Sequence, residues 1–301
     1  MTTPPILTLE SITKHYGSQT ILFDIDFQVT EAQIIALVAP NGTGKTTLLN
    51  VIANIEKADE GFVTVLGKDN SDHMIFHEMS YLQDNTVLYG HLTGYDHLVF
   101  VANEHRLSKE KLNALIDKIG IRHYLKKRIS QYSLGMKQHL LLAIALVNQP
   151  KLLLLDEPLN GLDPDSVILV RQILTELKES GTTVILSSHN LVEIERLADT
   201  IYFLVEEGLL NSQDVLVKAS NYLLVLEKME FLEHYAISHS IPCKRISEHK
   251  LSIRLTQAEL ASLKATCLQA NVKLLDVSLA EGVLENAYFE LFHKGGSHVP
   301  L

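Results

Sequence analysis

The chain has 301 residues, 46% of them hydrophobic, and a formal net charge of −10. That length allows about two domains and a sizeable core, while the acidic balance disfavours non-specific binding to nucleic acid. Its two cysteines, Cys243 and Cys267, have neither metal-ligand nor redox-motif spacing, so they read as cytosolic thiols.

In chain order, Ile6 to Val29 reads as short strands, with Leu7, Leu9 and Ile12, then Leu22, Ile25, Phe27 and Val29 as partly alternating apolar positions. The N-terminus, Met1-Thr2-Thr3-Pro4-Pro5, lacks a charged region followed by an apolar one, so no signal peptide is expected. Tyr16-Gly17 lies in a connection, where the ring can stack on a base or simply pack. The apolar run Ile34–Val38 is a buried-strand pattern. It leads into Ala39-Pro40-Asn41-Gly42-Thr43-Gly44-Lys45-Thr46-Thr47 and then the helix-forming Leu48–Ala53.

Strand, glycine-bearing loop and helix in that order are what a phosphate-binding loop requires. Glycines let successive N–H groups face one oxyanion, and the helix presents its positive end. Lys45 can reach the β- and γ-phosphates, and the Thr46 hydroxyl can hold Mg²⁺. The first position of the usual pattern is glycine, and here it is Ala39. If that position takes left-handed backbone, the β-carbon costs about 1–2 kcal/mol; otherwise it costs almost nothing.

Further along, Phe62–Leu66 reads as a strand, and Met79–Asp84 as a strand running into a polar end at Gln83. From Leu92 to Val147 the pattern is helical. Leu112, Leu115, Ile116 and Ile119 form one face of an amphipathic helix with Ser108 as its N-cap. Lys126-Lys127-Arg128 is a short basic cluster, read equally well as a solvated helix end. Gln131–Gln138 opens the apolar helix Leu140–Val147, which is far short of the ~20 residues a bilayer requires.

Leu152–Leu155 is a second buried strand ending in Asp156-Glu157-Pro158. Asn160-Gly161-Leu162-Asp163-Pro164 is a turn. Val184–His189 is a third buried strand with a polar end, and Ile201–Val205 a fourth. Apolar strands alternating with helices predict a parallel sheet covered on both faces, with ligands at the carboxyl ends of its strands. The phosphate loop, Gln83, Asp156-Glu157 and His189 all fall at such ends. After about Asp214 the pattern changes to a small α+β domain. It has strands at Tyr222–Leu226, Leu251–Leu255 and Val272–Val277, and helices at Met229–His239, from the Thr256–Glu259 capping box to Ala270, and at Leu284–Phe292. A split β-α-β arrangement fits this order. The tail Gly295-Gly296-Ser297-His298 reads as disordered.

Taken together, these motifs resemble the ATP-binding subunit of an ABC transporter over roughly residues 6–215. Tyr16 matches the aromatic that stacks on adenine, Ala39–Thr46 the phosphate loop, and Gln83 the glutamine that senses Mg²⁺ and the membrane partner. Tyr132-Ser133-Leu134-Gly135-Met136 matches the signature, whose family norm is Leu-Ser-Gly-Gly-Gln. Asp156-Glu157 matches the acidic pair, and Asp163 and His189 the switch residues beyond it. The resemblance implies an α/β P-loop NTPase of ABC type, with a nucleotide-binding domain at 1–215, a helical subdomain at about 85–148 and a C-terminal α+β domain at 216–301.

It also implies an ATPase whose cofactors are ATP and Mg²⁺. Asn41, Gly42, Thr43, Gly44, Lys45, Thr46, Thr47 and Tyr16 would bind nucleotide. Thr46, Gln83 and Asp156 would serve the metal, while Glu157, His189 and Gln83 would serve hydrolysis. Ser133, Gly135 and Asp163 would act at the ATP site shared with a second ATPase subunit, in a homodimer or a heterodimer. The partner would be a separate polytopic permease that holds the chain at the inner face of the membrane, and no nucleic acid is expected. Leu134 puts a side chain where the family has glycine. The expected result is a weaker ATP sandwich and a Leu134→Gly variant with higher ATPase activity. The C-terminal domain resembles that of bacitracin- and drug-resistance ATPases and their lantibiotic-immunity relatives, which mostly serve export. The alternative is a soluble ABC-type ATPase switch in assembly or ribosome-linked regulation.

Overall fold

The computed structural model describes residues 4–83, 85–206, 208–216, 220–226, 229–239, 241–270, 272–279 and 283–292. Asp84 and the tail Gly295–His298, both read above, lie outside them. The chain divides into two compact units, Met1–Leu209 and Leu210–Leu301.

The first unit begins with strands β1 (Leu7–Tyr16), β2 (Gln19–Val29) and β3 (Ile34–Val38), then helix α1 (Lys45–Ile52). Strands β4 (Glu60–Val65), β5 (Lys68–Asp69) and β6 (Met79–Leu82) follow, and then helices α2 (Gly94–Glu104), α3 (Lys109–Ile119) and α4 (Leu134–Ala145). The order closes with β7 (Leu152–Leu155), α5 (Pro164–Glu179), β8 (Thr183–Ser188), α6 (Leu191–Leu197) and β9 (Thr200–Val205), and β10 (Gly208–Asn211) spans the division. An antiparallel sheet has the order β2-β1-β4-β5, and a six-stranded sheet the order β10-β9-β3-β8-β7-β6.

In the larger sheet, β3 pairs in parallel with β8 and β9, and β7 with β6 and β8. Every residue of β3, β7 and β8 is buried, because covering a parallel sheet on both faces leaves its strands no solvated side. The register places Leu82 beside Leu155, Leu155 beside Leu186, and Val38 beside Ser188. The residues that follow these strands therefore leave from one edge at nearly one level.

The helical layer is held by its caps. Thr93 and Asp96 form a capping box on α2, Ser108 accepts from the Lys111 N–H, and Gly120 closes α3 in left-handed backbone. Among the described residues no helix is long and apolar enough to cross a membrane.

The second unit contains α7 (Ser212–Leu216), β11 (Ser220–Leu226), α8 (Met229–Ser238), β12 (Cys243–Arg245), β13 (Lys250–Leu255), α9 (Gln257–Gln269), β14 (Leu274–Leu279) and α10 (Val283–Phe292). Its sheet has the order β12-β13-β11-β14, with every neighbouring pair antiparallel. So β11-α8-β12 spans β13, and β13-α9-β14 spans β11, which gives two split β-α-β units. The core gathers Leu224, Leu226, Leu232, Leu251, Ile253, Leu255 and Leu263, and the Thr256–Glu259 capping box starts α9 as expected. The division falls at 209/210, and α7 lies against α10. The short strand β12 and the helix α7 are additions to the sequence reading. Three residues or one helical turn carry too little periodicity to read.

Candidate active site

The phosphate loop leaves β3 and enters α1 through Gly44, which caps the helix at φ +106°. Gly42 has φ +82°, and a β-carbon on Gly44 would lie 2.8 Å from Ile21 Cγ2. Ala39 takes no left-handed backbone and is fully buried. Alanine at the first position therefore carries no strain, and glycine is needed only at 42 and 44.

Lys45 is buried and donates from Nζ to the carbonyls of Ala39 at 2.7 Å and Pro40 at 3.1 Å. Burial pulls its pKa down against the opposing charges of Glu157 and Asp156. Thr43 donates to the Pro40 carbonyl at 2.8 Å. Asn41 and Gly42 are exposed at the loop's tip, and Thr47 is buried beneath it.

A hydrogen-bonded chain crosses the strand ends. The Thr46 hydroxyl donates to Asp156 Oδ2 at 2.7 Å. Ser187 donates to Asp156 Oδ1 at 2.5 Å and accepts the Glu157 N–H at 2.9 Å. Glu157 Oε2 lies 3.0 Å from His189 Nδ1. When the carboxylate accepts, the ring proton sits on Nδ1 and Nε2 is left for a second partner. Thus residues from α1, the end of β7, β8 and the loop beyond it are joined side by side.

Sequence reasoning missed Ser187. The available signal was a pair of serines ending a strand with no exposed face: Ser187 and Ser188 are 0% and 3% exposed, and a hydroxyl so buried must find partners. Glu157 adopts φ +48°, a left-handed conformation unusual for glutamate. Such strain, of about 1–3 kcal/mol, gathers at functional sites. Gln83 follows β6 directly and is half-buried.

Tyr16 ends β1 and is 48% exposed. Its hydroxyl donates to Glu56 Oε2. That bond holds the Glu56 carboxyl below its ordinary pKa and the Tyr16 phenol above its own. Asn50 of α1 donates to Glu56 Oε1 at 2.8 Å, and Tyr81 of β6 donates to Asn50 Oδ1 at 3.0 Å. The ring is thereby fixed to the phosphate-loop helix and to β6, the strand that precedes Gln83.

The signature residues lie on the helical layer. Ser133 caps α4 by accepting the Met136 N–H at 3.2 Å. Tyr132 is a core residue, 7% exposed. It donates to the Tyr124 carbonyl at 3.0 Å and packs edge-on against the Tyr124 ring at 5.1 Å. A β-carbon on Gly94 would lie 2.3 Å from the Tyr132 hydroxyl, so the tyrosine is accommodated by a glycine on α2. Leu134 rests against Gly161, and Gly135 faces Leu162. Asp163 caps α5, accepting the Ser166 N–H at 2.9 Å; this bond, with the Ser166 hydroxyl, holds its carboxyl below the ordinary value.

Thr46 and Asp156 offer a hydroxyl and a carboxylate oxygen 2.7 Å apart. That all-oxygen donor set suits a hard divalent cation such as Mg²⁺.

Residues 22–160 match the family model for ABC transporters. The lantibiotic transport ATP-binding protein SrtF of Streptococcus pyogenes is 35% identical over 201 residues, covering 67% of this chain and 87% of that protein. The bacitracin transport ATP-binding protein BcrA of Enterococcus faecalis is 34% identical over 214 residues, 70% of each chain. A solved ATP binding subunit of an ABC transporter has a TM-score of 0.65 at 26% identity, covering 71% of this chain and 92% of that one. Family model, relatives and fold agree that this chain belongs to the ABC transporter ATP-binding family and is an ATPase of that family.

Proposed function

We infer that this chain is the motor of an exporter, in which ATP joins two ATPase subunits and hydrolysis releases them, driving a separate polytopic permease. The observation that carries the catalytic part is the hydrogen-bonded chain Thr46–Asp156–Ser187–Glu157–His189.

Asn41 to Thr47 cradle the phosphates, Lys45 neutralises them, and the Tyr16 ring stacks on the base. Mg²⁺, held by Thr46, Gln83 and Asp156, would supply charge neutralisation on the phosphate oxygens. Glu157 takes a proton from water as the water oxygen bonds the γ-phosphorus. The bond to the bridging oxygen breaks, and its electron pair leaves with ADP. His189 holds the Glu157 carboxylate in line, and Ser187 fixes the backbone on which it stands. Ser133 and the Gly135 amide cap the γ-phosphate of the second ATPase subunit, and Asp163 orders the turn beside them. Such a switch needs ATP to favour the joined state over the separate one.

The likeness to lantibiotic and bacitracin transport proteins supports a peptide antibiotic as cargo. The inner face of the membrane is then the place of work.

The test is co-purification of the tagged chain from detergent-solubilised host membranes, with partners identified by mass and stoichiometry. A polytopic membrane protein with two copies of the chain is the expected result, and one copy beside a different ATPase would make the pair a heterodimer. Soluble partners alone, under conditions that preserve known membrane complexes, would replace this reading with a soluble ATP switch.

A further inference from the structure

Leu134 occupies a signature position where the family pattern has glycine, and its contacts give it a task. Gly161 has φ +72°, and a β-carbon added there would lie 2.1 Å from Leu134 Cδ2 and 2.9 Å from its Cγ. The leucine therefore fills the volume that the missing β-carbon leaves. One residue on, a β-carbon on Gly135 would meet Leu162 Cδ2 at 3.7 Å, an ordinary contact. The first turn of α4 thus sits on the turn Asn160-Gly161-Leu162-Asp163.

That turn is tied to Glu157. The Asn160 N–H donates to the Glu157 carbonyl at 3.2 Å, and the Leu162 N–H to the Leu159 carbonyl at 3.4 Å. Asp163 ends it by capping α5.

We propose that Leu134 is a positioning residue: seated on Gly161, it braces the Asn160–Asp163 turn and so holds the left-handed backbone of Glu157 in the arrangement hydrolysis needs. The proposal rests on the reading of Glu157 as the group that activates water. It reverses the sign expected from the family pattern, because removing the leucine frees the turn and slows turnover.

A double-mutant cycle on the full chain tests it, with Leu134→Ala, Gly161→Ala and both together, reading kcat and KM for Mg²⁺-ATP and the thermal midpoint. Gly161→Ala alone is expected to lower kcat about tenfold, because the new methyl displaces the leucine; in the Leu134→Ala background the same change costs about two- to threefold, the left-handed strain common to both. The two backgrounds are compared on kcat, because Leu134 lies between Ser133 and Gly135 and its replacement bears on KM as well. Equal losses in the two backgrounds would overturn the proposal.

Should Gly161→Ala fail to fold, the series Leu134→Met, Leu134→Ala, Leu134→Gly decides. The expected kcat falls in that order with melting temperatures near wild type, and a flat or rising series overturns the proposal. Glu157→Gln is measured alongside. If it leaves kcat unchanged, the catalytic reading itself has failed. If it abolishes turnover while the cycle is additive, only the Leu134 proposal has.

Discussion

In the first unit, β6, β7, β8 and β3 run the same way, and the residues that follow them leave from a single edge. Gln83, Asp156, Glu157, His189 and the phosphate loop are gathered there although they lie far apart in sequence. In the second unit, each strand runs against its neighbour in the sheet, so the carboxyl ends of β11 and β12 lie at one edge and those of β13 and β14 at the other. Both units bury apolar faces well, and both use capping boxes. The difference in strand direction is what lets one sheet concentrate donors and charges at a strand edge while the other spreads its ends apart.

The largest effect should come from the concentrated edge. Glu157→Gln keeps the shape of the side chain and removes its basicity, so steady-state phosphate release should fall about 10²- to 10⁴-fold with ATP binding retained. A rate that holds would break the comparison at its centre.

Next in size is a purely structural loss in the other unit. Leu263 is fully buried, and Leu263→Ala should destabilise that core by about 2–5 kcal/mol. Hydrogen exchange should show the second sheet opening while the phosphate-loop strand stays protected and ATP turnover stays near wild type. Loss of turnover in step with that opening would mean that the units are energetically one.

Smaller, and sharper, is Ser187→Ala. It removes the hydroxyl that bridges Asp156 and the Glu157 N–H, and hydrogen bonds involving charged groups are worth about 1.5–3 kcal/mol. The expected signature is a fall in kcat of about tenfold or more with little change in KM, read by steady-state kinetics.

The smallest effect concerns the helical layer. Tyr132→Phe should cost about 0.5–1.5 kcal/mol in chemical denaturation, because the Tyr124 carbonyl loses its donor. Burial also pushes the Tyr132 phenol up to about 12. A folded-state pKa raised above the free value of about 10 means that its contribution is intact below pH ~10 and is lost as pH rises toward 12. The variant should therefore lose stability less steeply than wild type across that window.

Much of this was legible in the sequence. Placement was local enough to read: the loop ending in Lys45-Thr46, the acids after Leu155 and His189 each follow a buried strand, and those strands are parallel. What stayed hidden depends on contacts between distant segments. Ser187 becomes interesting only when β7 lies beside β8 and its hydroxyl meets Asp156. Ala39 could not be judged without its backbone angle, which turned out to suit any residue. Tyr132 departs from the leucine of the family signature, and the space for it comes from Gly94, 38 positions earlier in the chain. The second unit was readable as to type, since alternation in Leu251–Leu255 and the cap at Thr256 are local signals, but the brief β12 has no pattern of its own.

The fit between Tyr132 and Gly94 has a consequence for inheritance. Gly94 opens α2 and Tyr132 lies in the extended backbone just before α4, and neither position tolerates the other's common alternative freely. An alanine at 94 would strike the tyrosine, and a leucine at 132 would leave a hole above the glycine. They should therefore change as a pair across descendants of this sequence. Any chimera that joins residues 1–110 of this chain to the following segment of a relative with leucine at the Tyr132 position should fold poorly until Gly94 is enlarged to match.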